Sequence, residues 1–259
     1  MDIYQHFRKE EHPFIDQVLS WYNQVERSFQ PKLTDFLDPR EQQIIDMLVG
    51  KNNTDVKSDF SGGPEQAERK RAIIAPYYEQ IDNDDFELCC LDGRYPTQFT
   101  TIAHSDVMGT FLSLGLRRSK LGDIYARDGY IQFMITKDIS SYVMMNLKKI
   151  KNIGIHFKEI PYSQVIFTPE SWSESHHTVS SVRLDVMMKA IYNLSRKEAA
   201  SYISKGLVKL NYKVTEDTKT VLEEGDLISV RGKGRSKFIA MNGQSKKGKW
   251  KVTTGFLAK

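Results

Sequence analysis

The residues of this 259-residue chain whose types and spacing could do chemistry gather toward its C-terminal end, and the chemistry they suit is the holding of phosphate. Ser195-Arg196-Lys197-Glu198 has the capping-box form, in which the serine hydroxyl accepts from the Glu198 backbone while Glu198 reaches back. A helix starting there presents open N–H groups, the positive end of its dipole and two cations to an anion. Downstream, Val208-Lys209-Leu210-Asn211 alternates, with Val208 and Leu210 toward a core and Lys209 and Asn211 away from it. Lys205 and Lys213 flank this strand, and the run from Leu227 to Arg235 turns Ser229, Arg231, Lys233 and Arg235 outward as a cationic edge that Lys237 extends. The formal charge of +4 and pI near 8.8 are mild. The distribution is not: from Leu227 to Lys259 there is no acidic residue, while Arg231, Lys233, Arg235, Lys237, Lys246, Lys247, Lys249, Lys251 and Lys259 are basic.

Other reactive residue types fail on geometry. Cys89 and Cys90 are neighbours in an apolar run, where side chains of a strand point to opposite faces, so they read as buried thiols and not as metal ligands. His176 and His177 are also adjacent and without partners. His104-Ser105-Asp106 has the residue types of a hydrolase triad, but three consecutive residues cannot converge on one another, so Ser105 is expected to cap a helix. No glycine-rich strand-to-helix turn that would hold a nucleotide cofactor is visible. The expectation is therefore no catalytic residue, no metal, no cofactor and no small-molecule substrate. No apolar run approaches the roughly 20 residues that span a bilayer, and Met1 to Glu11 is polar and charged, so a cytoplasmic protein without a membrane partner is expected.

The elements that must position the cations follow from periodicity and punctuation. Phe14, Val18, Tyr22 and Val25 predict a helix from Pro13 to before Pro31, and Asp38-Pro39-Arg40-Glu41 predicts a second start, with Asp38 as N-cap. Gly50 to Pro64 reads as a loop or linker closing a helical N-terminal unit over 1–63. Over 64–167 the expected order is a helix from Glu65 to about Ala75, then a hairpin of Phe86–Leu91 and Gln98–Ala103. A helix Ser105–Leu114 stopped at Gly115 follows, then a hairpin Asp123–Ala126 and Tyr130–Ile135 turned at Asp128-Gly129. The last two are a helix Asp138–Ile150 and a strand near Ile153–Ile160. Such alternation predicts an α+β sandwich of the RNA-recognition-motif type. The polar stretch over 168–180 reads as a second linker.

From 181 to 259, a helix Val182–Asn193, with Leu184, Met187, Met188 and Ile191 on one side, precedes the capped helix closing at Lys205-Gly206. Asp185 reads as a surface or helix-start carboxylate, and Trp250 as the anchor of a terminal hairpin. The run RLDVMMKAIYNLSRKEAASYISKGLVKLN with EEGDLISVRGKGR resembles the RNA-binding domain first recognised in the fourth protein of the small ribosomal subunit, here the S-four domain, over about sixty residues. The resemblance implies a positive surface on structured RNA formed by two short helices and a β-loop. Carried onto this sequence it implicates Arg183, Ser195, Arg196, Lys197, Lys209, Asn211, Arg231 and Lys233. Contacts of that kind go mainly to phosphates and shape.

The whole chain, with His104-Ser105-Asp106, Gly115-Leu116-Arg117-Arg118 and Gly122-Asp123-Ile124 in its middle block, is similar to the YlmH family of Gram-positive bacteria. That resemblance implies a protein of the large ribosomal subunit obstructed by peptidyl-tRNA. It would bind rRNA or tRNA and act with other factors in a quality control that extends the stalled chain. In that family the gene often lies beside those for cell division. Arg117, Arg118 and Lys120 could form a second RNA surface or simply be solvated. Two other readings stay open. One is an RNA-modifying enzyme of the pseudouridine synthase or methyltransferase type, toward which Arg183-Leu184-Asp185 points superficially. The other is a division-site scaffold whose RNA binding is secondary.

Overall fold

In the computed structural model, which describes residues 3–50, 55–98, 100–166 and 172–257, the chain is α+β and divides between Thr168 and Pro169 into two units. Helix α1 (His12–Ser28) takes Pro13 in its first turn and ends on Phe29 in the left-handed region, φ 56°. Strand β1 (Lys32–Leu33) leads into α2 (Pro39–Val49), which starts as its sequence predicts. The Asp38 carboxylate accepts from the Glu41 N–H at 2.9 Å and the Glu41 carboxylate from the Asp38 N–H at 2.7 Å.

The next stretch departs from expectation. Strand β2 (Val56–Ser61) lies inside the supposed linker and pairs along its length with β3 (Arg71–Pro76), where a helix was expected. The order is β1-β3-β2, so the expected unit boundary at 63/64 falls within one hairpin. The polar composition of Lys57, Ser58 and Asp59 hides β2 because backbone ladder bonds, and little side-chain burial, hold it. In β3 the cause is burial on both faces: Ala72 and Ile74 meet α1 and α2, while Ile73 and Ala75 meet the next sheet. A short continuous apolar run cannot by itself be told from a buried helix.

The middle of the first unit runs β4 (Leu88–Arg94), α3 (His104–Ser113), β5 (Leu121–Arg127), β6 (Tyr130–Thr136), α4 (Ser140–Asn146), the small hairpin β7 (Lys149–Ile150) and β8 (Ile153–Gly154), and β9 (Lys158–Ile160). Its antiparallel sheet has the order β5-β6-β4-β9, with the two helices following its first and third strands, the split layout of an RNA-recognition motif. Asp128 and Gly129 both take positive φ, 50° and 85°, as the Asp-Gly hairpin requires. Three expectations are corrected. Gln98–Ala103 forms no strand among its described residues, Phe99 lying outside them, because β4 is a central strand whose two edges are taken by β6 and β9. The helix over Asp138–Ile150 stops at Asn146, since a two-residue turn with Lys151 at φ 53° brings Lys149 and Ile150 back onto β8. The strand near Ile153–Ile160 is broken into β8 and β9. Val143, Leu147 and Ile150 nevertheless all point inward.

The sheet is covered on both sides. Leu91, Phe133 and Ile135 face α3 and α4, whereas Leu88, Cys90 and Met134 face Phe36, Ile73 and Ala75 of the N-terminal part. Gly122 is needed at this seam, since a Cβ there would lie 2.6 Å from a Phe36 ring carbon and 2.9 Å from Met134 Cβ. Cys89 and Cys90 do point to opposite faces, and burial pushes each thiol up to about 12. Neither should react with a thiol-specific disulfide reagent at pH 8 until the protein unfolds; stoichiometric labelling of the native state would contradict this packing.

In the second unit β10 (Ser173–Val179) replaces most of the expected 168–180 linker, whose residues 168–171 lie outside those described. It is followed by α5 (Leu184–Tyr192), α6 (Arg196–Ser204), β11 (Val208–Leu210), β12 (Lys213–Val214), β13 (Leu227–Val230), β14 (Gly234–Gln244) and β15 (Trp250–Leu257). The sheet order is β10-β15-β14-β13-β11-β12. The strand at Ser173–Val179 escapes a composition-based reading because its side chains are mostly exposed and its partner, β15, lies far along the chain, with Ser173 opposite Phe256 and Val179 opposite Trp250. The core sits between one face of this sheet (Val208, Ile228, Val230, Phe238 and Val252) and Leu184, Met187, Met188, Ala199 and Ile203 of the two helices. Trp250 packs against that core, as expected of a hairpin anchor.

Candidate nucleic-acid interface

The N-terminal ends of α5 and α6 meet around a carboxylate. Arg183, just before α5, donates from Nε and Nη2 to the two oxygens of Asp185 at 3.1 and 2.9 Å. Arg196, the first residue of α6, brings Nε to 3.5 Å from the same Asp185 Oδ2. The Asp185 side chain is 4% exposed, against 30% for Arg183 and 71% for Arg196. Asp185 is thus a helix-start carboxylate in the first turn of α5, as one of the two expectations had it, but a buried anchor and not a surface group. The fork-to-fork pair fixes the Arg183 plane, and each guanidinium keeps donors for an incoming anion.

The capping box closes as predicted. Ser195 Oγ accepts from Glu198 N at 3.2 Å and Ser195 N donates to Glu198 at 2.8 Å, an arrangement that holds the Glu198 carboxyl below its usual range. The serine hydroxyl is therefore spent on the helix, and the N–H groups of Arg196 and Lys197 are the ones left for a ligand. Gly206, at φ 65°, ends the helix where expected. Lys233 lies 5.9 Å over the Tyr202 ring of α6, which places the Arg231-Gly232-Lys233 turn beside that helix. Tyr192 secures the same corner, its hydroxyl 2.9 Å from Ser236 Oγ.

Arg183, Arg196 and Lys197 thus gather at the helix starts, with Lys233 near enough to Glu198 to help lower its carboxyl, whereas Arg231, whose N–H donates to the Leu207 carbonyl at 2.9 Å, lies toward the far end of α6. The remaining expected contacts are dispersed. Lys205 sits at the opposite end of the nine-residue α6, about 13 Å away at 1.5 Å per residue. The Asn211 amide donates to Asp226 at 2.7 Å and its oxygen accepts from Leu227 N at 2.9 Å, so it pins a turn. Lys213 pairs with Leu210 on the helix-facing side of the sheet, at its far edge. Lys209, Arg235 and Lys237 point from the other face, because the 227–235 run is a hairpin turned at 231–233 and not one continuous edge.

Of the expected second surface, Arg117 is exposed, but Arg118 donates to the Leu121 carbonyl, with burial lowering it to about 10. Lys120 is held between Asp35 at 3.0 Å and Asp138 at 2.9 Å. Lys120 thereby ties Asp35 of the N-terminal part to Asp138 of the middle block, whereas the Arg118 bonds stay within its own segment; Asp123 makes a second tie, its carboxylate accepting from Glu68 N and Arg69 N at 2.6 and 3.2 Å. In the His104-Ser105-Asp106 run Ser105 is not the cap; Asp106 accepts from Ala103 N at 2.8 Å and pairs with Lys151 at 2.8 Å. His176 Nδ1 lies 3.0 Å from Thr253 Oγ1, within the strand ladder. Among the described residues no cluster of three His, Cys, Asp or Glu could hold a metal ion, and no helix is long and apolar enough to cross a membrane.

What the sequence reading missed is the Asp185 anchor. Its signal was the spacing of Arg183 and Asp185 across a helix start, together with a cation at the next start. Asp185→Ala should cost about 2–3 kcal/mol by leaving the Arg183 fork part-buried and unpaired. Urea denaturation checks this, and a loss under 0.5 kcal/mol (~0.5 on the scale of ordinary surface changes) would contradict the anchor.

Three family models match the chain: "YlmH, N-terminal" over residues 10–79, "Putative RNA-binding domain in YlmH" over 82–164, and "S4 domain" over 182–228. A curated relative from Bacillus subtilis (strain 168), "Ribosome-associated protein quality control protein P2", is 39% identical over 252 residues, 97% of each chain. A solved structure, "Cell division protein ylmH from Streptococcus pneumoniae", is 31% identical with a TM-score of 0.55, covering 64% of this chain and 99% of that one. With two family models over its first two parts and 39% identity to such a relative along nearly its whole length, the chain belongs to the YlmH family.

Proposed function

We propose that this protein binds structured RNA without modifying it and does so on the large ribosomal subunit, where it would meet rRNA and peptidyl-tRNA during quality control of obstructed subunits. The observation that carries the reading is the Asp185-centred pair of guanidinia beside the open end of α6. Arg183 is pre-oriented by its two bonds to Asp185, so little of its side-chain entropy is lost when phosphates arrive, and Arg196 stands exposed beside it. The name of the Bacillus subtilis relative supports the ribosomal setting. A non-catalytic role fits the state of Asp185: a catalytic carboxylate must reach its substrate, and both oxygens of this one are engaged by arginine.

The middle unit contributes shape more than base stacking in this reading. The sheet face that an RNA-recognition motif offers to bases is here covered by Phe36, Ile73 and Ala75. Sedimentation of purified protein with separated ribosomal subunits tests the proposal, with retention expected on the large subunit and not on the small one. Protein remaining at the top of the gradient, or equal retention on both, would overturn it. Affinity for an RNA hairpin should fall with salt at a log–log slope of about 3, from about 0.7–0.9 for each phosphate met by Arg183, Arg196, Lys197 and Lys233. A salt-independent affinity would contradict the electrostatic basis.

A further inference from the structure

The strand register places cations on the side of the C-terminal sheet that the helices do not cover. Lys209 pairs with Ser229, Ser229 with Arg235, and Arg235 with Leu257, so these side chains share one face in a row across four strands. The next row holds Leu227, Lys237, Gly255 and Glu174. Beyond it come Thr253 with His176, then Lys251 with Thr178. The partners on the opposite face (Val208, Ile228, Val230, Phe238 and Val252) are the ones buried under α5 and α6. Lys209, Lys237 and Lys251 are exposed, and Glu174, on the outermost strand, is the single carboxylate in these rows.

Toward the β10–β15 edge of this face the surface is not polar. Gly255 is overlain by Trp172 and Ile239: a Cβ built there would lie 3.0 Å from Trp172 Cβ and 3.2 Å from Ile239 Cδ1. Trp172 is half-buried, seated on a glycine that leaves room for its ring. A sheet face that carries an indole near its β10 edge, with Lys237 and Lys251 on the neighbouring strands, offers a π-surface to a base and charge to the flanking phosphates. A duplex keeps its bases stacked inside and cannot use the indole.

We propose that this outer face, with Trp172 near its β10 edge and Lys209, Arg235, Lys237 and Lys251 across it, is a second nucleic-acid site that takes unpaired RNA. It is separate from the surface at the starts of α5 and α6. A rigid RNA helix seated there cannot reach side chains that leave the opposite side of the same sheet, so the domain would hold a folded element on one face and a single strand on the other.

Fluorescence anisotropy of the full chain with a labelled twelve-nucleotide oligouridine and with a labelled RNA hairpin separates the two sites. The double change Lys237→Glu/Lys251→Glu is expected to weaken oligouridine binding about tenfold or more while moving hairpin affinity by less than about threefold. Arg196→Glu is expected to do the reverse. Trp172→Ala should weaken oligouridine roughly fivefold or more, with Trp172→Phe retaining most of the affinity, as stacking requires. The lysines are exposed, so their reversal tests the face without unfolding it. Unchanged oligouridine affinity in the double-lysine variant overturns the proposal. So does an equal loss for both RNAs, which would report a general field and not a site. If instead Arg196→Glu leaves the hairpin untouched, the helix-side reading fails and the outer-face result still stands on its own measurement.

Discussion

Arg196→Glu weakens binding of a structured RNA hairpin by about tenfold or more, the loss expected when one charge-assisted phosphate contact is replaced by repulsion. The reversal sets a second carboxylate near Asp185, which Arg196 now approaches at 3.5 Å, and beside the exposed Glu198. It also opposes the positive end of the α6 dipole. Because the Arg196 side chain is 71% exposed, the fold should be nearly indifferent. Arg196→Lys is the informative companion: it keeps the charge but not the planar fork, and is expected to fall between the two. A filter-binding titration at fixed salt reads all three, and wild-type affinity in the glutamate variant would remove α6 from the interface.

Arg71→Ala unfolds the first unit more readily, by about 3–5 kcal/mol. The Arg71 side chain donates to the Thr34 carbonyl at 2.7 Å and to the carbonyls of Phe86 and Glu87 at 2.8 and 3.0 Å. The residue is 6% exposed, and burial lowers its pKa below that of a free guanidinium. Removing it strands three carbonyl groups where β1, β3 and the start of β4 come together, and opens a void in their midst. Arg71→Met restores volume but not donors, so it should recover only part of the loss. Urea denaturation followed by circular dichroism checks both, and an alanine variant within about 1 kcal/mol of wild type would mean that water satisfies those carbonyls.

These residues show where the sequence was legible. Local chemistry could be read: the Asp38 and Ser195 capping boxes, the Asp128-Gly129 turn and the Gly206 stop each depend on a few neighbouring residues, and each formed. Elements defined by distant partners could not. The Ala72–Ala75 run looks helical until both of its faces are covered, and β2 and β10 show little apolar alternation because their ladders to β3 and β15 hold them. The same limit applied to the interface. Cations close in sequence, such as Arg231, Lys233 and Arg235, were expected on one edge, but a hairpin turn separates Lys233, beside α6, from Arg235 on the outer face. Asp185 was visible as a residue, whereas its burial between two arginines depends on how α5 meets α6.

The middle block shows a second kind of illegibility. Arg118, Lys120, Gly122 and Asp123 make a conspicuous polar motif that reads equally well as a surface, yet three of them hold backbone carbonyls, amides or carboxylates within the first unit, and Gly122 makes room for Phe36. A motif dense in charge can be an internal fastening when its partners are backbone groups from elsewhere in the chain.

Ultraviolet cross-linking of the tagged protein in growing cells, followed by sequencing of the attached RNA, tests the central claim most directly. The expected result is a concentration of reads in large-subunit rRNA and tRNA that is lost with Arg196→Glu. Reads scattered over unrelated transcripts, or a ribosomal signal indifferent to that substitution, would contradict it.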